Sequence, residues 1–148
     1  MRFTFAWLLI MLTCPSAGAA QSVGSPRLNF LLHCSGCHAV DGSGNNAAGI
    51  PNLRGTIGHF LKVDGGREYL AQVPGSAQSP LSDKETAELI NWMLREFSAK
   101  ELPSQVKDYS AEEIKRLRRN PPPDVPKRRS EVTERLLKDL GIDIRSYP

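Results

Sequence analysis

"LLHCSGCHAV", residues 31–40, places Cys34, Cys37 and His38 in the order C-x-x-C-H. Two thiols three positions apart, followed at once by an imidazole, match the chemistry of covalent haem attachment. Both thiols add to the vinyl groups on one edge of a porphyrin, and the adjoining His38 is held beneath the iron as an axial ligand. Other uses of the three side chains account for the stretch less well. A thioredoxin-type dithiol sits in a strand–helix fold, and no strand pattern of any length is present in the sequence. A tetrahedral zinc site lacks a second C-x-x-C or an H-x-x-H to complete it. A plain disulfide leaves His38 unexplained.

The flanking sequence is helical. Ser25 followed by Pro26 opens a helix in which Leu28, Leu31 and Leu32 recur at helical spacing and run into His33 and Cys34. "DGSGNNAAGIPNLRG", residues 41–55, has the glycine and asparagine content of a loop. "GREYLAQV", residues 66–73, reads as a short helix stopped by Pro74 and Gly75. The strongest helix is "SDKETAELINWMLREF", residues 82–97: Ser82 and Glu85 form a capping box, and Leu89, Ile90, Met93, Leu94 and Phe97 make one apolar face. The expected fold class is therefore all-α, a small helical domain with a helical, proline-spaced C-terminal extension.

The start of the chain reads as an export signal, residues 1–19. Arg2 supplies the positive end, "FTFAWLLIMLT" (residues 3–13) the apolar run, and Ala17, Gly18 and Ala19 a small-residue cleavage site; a retained membrane anchor is the alternative. Without residues 1–19 the chain keeps 18 basic and 16 acidic residues, and its only cysteines are Cys34 and Cys37. That charge balance argues against nucleic acid as a partner. Export implies a periplasmic or extracellular location, where two thiols need a partner. Residues 25–99 carry 6 basic and 7 acidic side chains, whereas residues 100–148 carry 12 and 9, so the positive charge sits in the tail. In that tail Ser110 and Glu113 cap a basic segment anchored by Ile114 and Leu117. "PPPDVP" (residues 121–126) is an extended spacer, and "SEVTERLLKDLG" (residues 130–141) offers Val132, Leu136, Leu137 and Leu140 on one face. The tail either packs on its own domain or serves as an arm for a partner protein. The organisation expected is thus a leader at 1–19, a haem domain at 20–99 and a basic extension at 100–148.

Taken in order, these motifs resemble the class I mono-haem cytochromes c over residues 25–99. "CSGCHAVDGSG" is similar to the family's haem-binding stretch, and "IPNLRGTIGH" to its Pro-x-Leu loop. "PLSDKETAELINWML" is similar to the final helix. The resemblance implies one covalently attached haem c and a backbone carbonyl of Pro51 accepting a hydrogen bond from His38. It also implies Trp92 packed on the N-terminal helix near Phe30, and His59 near a haem propionate. The family usually takes its sixth iron ligand from a methionine in the loop before the last helix. Here that loop, "VPGSAQSPLSD" (residues 73–83), contains no Met and no His. Three arrangements stay open: Met93 on the last helix as the ligand, His59 as the ligand, or an open iron. His33 lies on the attachment side. Ser76, Gln78 and Ser79 supply no evident general base, so the chain reads as a carrier rather than an enzyme.

The function implied is single-electron transfer between redox proteins, with a periplasmic dehydrogenase on one side and an oxidase or second cytochrome on the other. Two alternatives follow from the missing loop methionine and the long tail. One is a haem sensor or small-ligand binder with an open sixth position. The other is a haem subunit of a larger oxidoreductase.

Overall fold

The computed structural model describes residues 24–144. The expected leader at residues 1–19 lies outside the described residues. Among the described residues the chain is all-helical, with a single isolated β-bridge between Asn45 and Ile50. Helix α1 spans Pro26–His33 and a short turn, α2, spans Ser35–His38. A 3-10 helix at Ile57–Lys62 precedes α3 (Gly66–Gln72) and α4 (Pro74–Ala77). Helix α5 runs over Asp83–Ser98, α6 over Ala111–Arg118 and α7 over Val125–Leu140.

Local chemistry sets the helix ends. Ser25 Oγ accepts the Leu28 N–H (3.2 Å), with Pro26 pre-set for the first turn. At α5 the capping box is complete: Ser82 Oγ accepts the Glu85 N–H and Glu85 Oε2 accepts the Ser82 N–H (2.9 Å). The structure departs from the sequence reading at two ends. Pro74 stops α3 but starts a further helical turn, α4, as the first residue of a helix is free to do. The proline spacer ends sooner than read, because Asp124 caps α7 by accepting the Lys127 N–H (2.8 Å) and so draws Val125 and Pro126 into the first turn.

The core forms where α1 crosses α5. Phe30 is fully buried between Trp92 (ring centroids 5.6 Å apart) and Phe97 (5.0 Å). The leucines that share helical spacing on α1 do not face this core: Leu28 is 47% exposed and Leu32 66%. Leu53, Ile57, Ala71, Leu81, Leu89, Ile90 and Leu94 extend the cluster.

The C-terminal extension packs on this core. Ile114 and Leu117 of α6 join the same cluster, while Val132 and Leu136 of α7, with Ile144, close over Phe60 and Tyr69. Polar staples fix the connection. Asn91 pairs with both backbone groups of Tyr109 (3.0 and 2.9 Å), and Arg67 forms a two-pronged pair with Glu113 (2.6 and 2.7 Å). The Arg67 guanidinium also lies 3.9 Å from the Tyr109 ring centroid, while Tyr109 Oη donates to the Arg67 carbonyl (2.7 Å). Gly66 permits the close approach behind this: a Cβ there would stand 1.9 Å from the Phe60 carbonyl oxygen. No helix of the described residues is long and apolar enough to cross a membrane.

Candidate haem centre

Cys34, Cys37 and His38 fall on one tight turn. The Cys34 carbonyl accepts both the Cys37 N–H (3.2 Å) and the His38 N–H (3.0 Å). At that spacing the three side chains leave the turn on neighbouring sides. Both thiols are free, Cys37 exposed and Cys34 half-buried against the core cluster. Burial, reinforced by Cys37, pushes the Cys34 thiol up, so it stays protonated.

The chain then reverses sharply. Ala39 has φ +61, and it is the one non-glycine residue with positive φ among the described residues. Strain of that kind persists where the surroundings enforce it. Here the enforcement is a set of backbone bonds: the Gly44 N–H to the His38 carbonyl (2.9 Å), and the Leu53 N–H to the Gly42 carbonyl (2.8 Å). Together they fold loop 41–55 back over the histidine. His38 Nδ1 lies 3.1 Å from the Pro51 carbonyl oxygen and donates to it. A Cβ at Gly44 would stand 2.5 Å from that same oxygen, so glycine is what lets the carbonyl come close.

The electrostatics follow. Burial holds His38 below the ordinary histidine range, the Pro51 bond partly opposing it. The ring is therefore neutral at pH 7. With Nδ1–H committed to Pro51, the Nε2 lone pair is free for a metal. The donor set thus fits an axially ligated, doubly thioether-linked haem: two unpaired thiols, one of them against the apolar core, and one oriented neutral imidazole.

The other candidates lie elsewhere. Met93 sits half-buried on α5, packed against the main cluster. On the 3-10 helix at Ile57–Lys62, His59 Nδ1 faces Lys62 Nζ at 3.3 Å and accepts from it. Burial and Lys62 lower its pKa, with Glu101 opposing. Gly58 next to it is fixed to α5, its N–H donating to Ser98 Oγ (3.0 Å). The structure joins His38 directly to Pro51 but records no bond from His59 or Met93 to them.

Loop 73–83 is held by the tail. Arg118, on α6, donates to the carbonyls of Ala77 (3.1 Å), Ser79 (2.6 Å) and Leu81 (2.9 Å) and to Asp83 Oδ1 (3.1 Å). Its side chain is 15% exposed. Sequence reasoning missed this residue because an arginine in a basic run looks solvent-facing. Its spacing was the available signal, since Arg118 lies four residues after Ile114 and shares the buried face.

A small all-helical protein with a C-x-x-C-H turn whose histidine is oriented by a backbone carbonyl is the class that fold and site define. No family model matches the chain, and no solved structure matches it. It is similar to a cytochrome c-552 of Thermus thermophilus, 29% identical over 129 residues that cover 75% of this chain and 84% of the relative. A second cytochrome c-552 of the same species is 31% identical over 103 residues, 57% of this chain and 78% of that protein. The chain belongs to the c-type cytochrome family.

Proposed function

We propose that this protein carries single electrons between redox proteins through one haem c of the class I arrangement. The observation that supports it most is the turn bearing two free thiols and a histidine whose Nδ1 donates to Pro51, 3.1 Å away. When bound, the haem supplies a one-electron iron couple. The protein attaches it through Cys34 and Cys37, ligates it through His38 Nε2, and orients that ring through Pro51. His59 and Lys62 form a paired basic site suited to a propionate, which is the role we assign to His59 in preference to ligation. We assign Met93 to packing at the core, with ligation through its thioether as the rival role. Domain limits of 20–99 and 100–148, export through residues 1–19 and a periplasmic location complete the reading. The electron donor it fits is a periplasmic dehydrogenase.

A second reading rests on loop 73–83, which holds no methionine or histidine and is tied down by Arg118. A site left open there would bind a small gas molecule. The absorption spectrum of the exported protein, oxidised and reduced, with and without carbon monoxide, tests both readings. A low-spin reduced spectrum indifferent to the gas supports electron transfer, and Met93→Ala and His59→Ala then identify the ligand. A high-spin spectrum that shifts with the gas overturns it in favour of ligand binding. Replacing both Cys34 and Cys37 with alanine abolishes haem retention on a denaturing gel if the attachment is as proposed.

A further inference from the structure

The positive charge of the chain is concentrated where α6 meets α7. Residues 115–129 contain seven cationic side chains and one carboxylate, Asp124. That carboxylate is already used, since Asp124 caps α7 by accepting the Lys127 N–H. Of the neighbouring acids, Glu113 binds Arg67 of α3 and Glu131 binds Arg128 (3.1 Å), while Glu112 is exposed. Three of the seven cations are also used internally. Arg118 clamps loop 73–83, Arg128 pairs with Glu131, and Arg129 lies 5.8 Å from the centroid of the Phe60 ring.

Four remain exposed with no ion pair among the described residues: Lys115, Arg116, Arg119 and Lys127. Lys115, Arg116 and Arg119 occupy the side of α6 opposite Ile114, Leu117 and Arg118, at spacings that make them neighbours. Two carboxylates stand near them: Glu112, on which Lys115 acts, and Glu113, which Arg116 reaches in addition to Arg67. Lys127 lines a groove of about 370 Å³ at the junction with Asn120, Pro122 and Pro123, whose two carboxylates, Asp124 and Glu131, are the ones already engaged with the Lys127 N–H and with Arg128. The junction is fixed in place, because Gln72 Nε2 donates to the Asn120 carbonyl (2.6 Å). Ordinary solvated charge alternates in sign, and it is not pre-positioned on a pinned proline turn.

We infer that Lys115, Arg116, Arg119 and Lys127 form a docking face for a carboxylate-rich protein partner. The face belongs to the extension. α6 packs on α3, α4 and α5, and α7 packs on α3 and the 3-10 helix at Ile57–Lys62. The use of such a face to hold a redox partner rests on the electron-carrier reading. Complementary charge of this kind raises the association rate and makes it fall with ionic strength.

The test uses the haem-bearing full chain and a poly-L-glutamate probe, with binding followed by fluorescence anisotropy across a salt series. One variant carries Lys115→Gln, Arg116→Gln, Arg119→Gln and Lys127→Gln. A matched variant carries Arg27→Gln, Arg54→Gln, Lys84→Gln and Lys100→Gln and loses the same charge. The expected result is a loss of about tenfold or more in affinity and a flatter salt dependence for the first variant, with the second close to wild type. The pair Arg116→Gln with Arg119→Gln gives an intermediate loss and serves if the fourfold variant folds poorly. Equal losses from both fourfold variants overturn the proposal, because net charge alone would then explain binding. Binding to vesicles of phosphatidylcholine and phosphatidylglycerol but not to poly-L-glutamate overturns it in favour of a lipid surface. Binding is read without any redox step, so its outcome is independent of whether the haem carries electrons.

Discussion

Gly44→Ala isolates the contact that orients His38. Gly44 has φ +72, and a Cβ built on it meets the Pro51 and Ile50 carbonyl oxygens at 2.5 and 2.7 Å. Backbone oxygens cannot swing aside as a long side chain can, so Pro51 must retreat by about half an ångström. The His38 Nδ1 to Pro51 distance, 3.1 Å, then passes the limit of an effective hydrogen bond. Gly49 provides the control: its φ is +73, almost the same, but a Cβ there meets nothing within 4 Å. Gly49→Ala therefore carries only the left-handed strain, about 1 kcal/mol. Gly44→Ala carries that strain plus the displacement, about 2–3 kcal/mol in total. With His38 ligating the iron as proposed, losing the bond to Pro51 would make the imidazole a weaker donor to oxidised iron. The reduction potential then rises by up to about 40 mV, the equivalent of about 1 kcal/mol for one electron. Potentiometric titration and urea unfolding of both variants provide the assay. Equal potentials in Gly44→Ala and Gly49→Ala would refute the argument that Gly44 is needed for the carbonyl's approach.

Arg118→Met removes a guanidinium bound to three carbonyls and Asp83, and should lower stability by about 2–3 kcal/mol while speeding hydrogen exchange across residues 74–82. A loss under about 0.5 kcal/mol in urea unfolding would show that the clamp contributes little. Gly66→Ala drives a Cβ to 1.9 Å from the Phe60 oxygen and should cost more than Gly65→Ala, where the clash is with the movable Arg128 side chain; thermal midpoints rank the two. The hydrogen bond from Arg67 holds Glu113 below the ordinary glutamate value of 4.5. A depressed carboxylate stabilises the fold above its unfolded pKa, and the contribution is lost as pH falls through its folded value. Glu113→Gln should therefore lower stability at pH 7 and flatten the decline below pH 4.5, as unfolding curves at several pH values will read.

The helix ends were legible because capping is local. Ser25, Ser82, Glu85 and Ser110 each bind a backbone group three residues away, within reach of any chain that starts a helix there. The C-x-x-C-H turn was legible for the same reason, as was Pro51 once the resemblance pointed to it. The start of α7 was misread because the prolines masked Asp124 as a cap. Spacing on α1 showed that a face existed but not which residues would be buried. Phe30 is buried because the α5 helix offers it Trp92 and Phe97, while Leu28 and Leu32 meet no such partner and stay in solvent.

Sequence alone therefore determined the all-helical class, the serine-capped helix starts and the C-x-x-C-H turn, since each depends on contacts within a few residues. Tertiary structure decided what spans long separations: Gly58 fixed to Ser98, Arg67 paired with Glu113, and Arg118 turned inward onto a loop about 40 residues earlier. A side chain's charge and spacing do not say which distant carbonyls will come within 3 Å of it; only the packing of one helix on another brings them there.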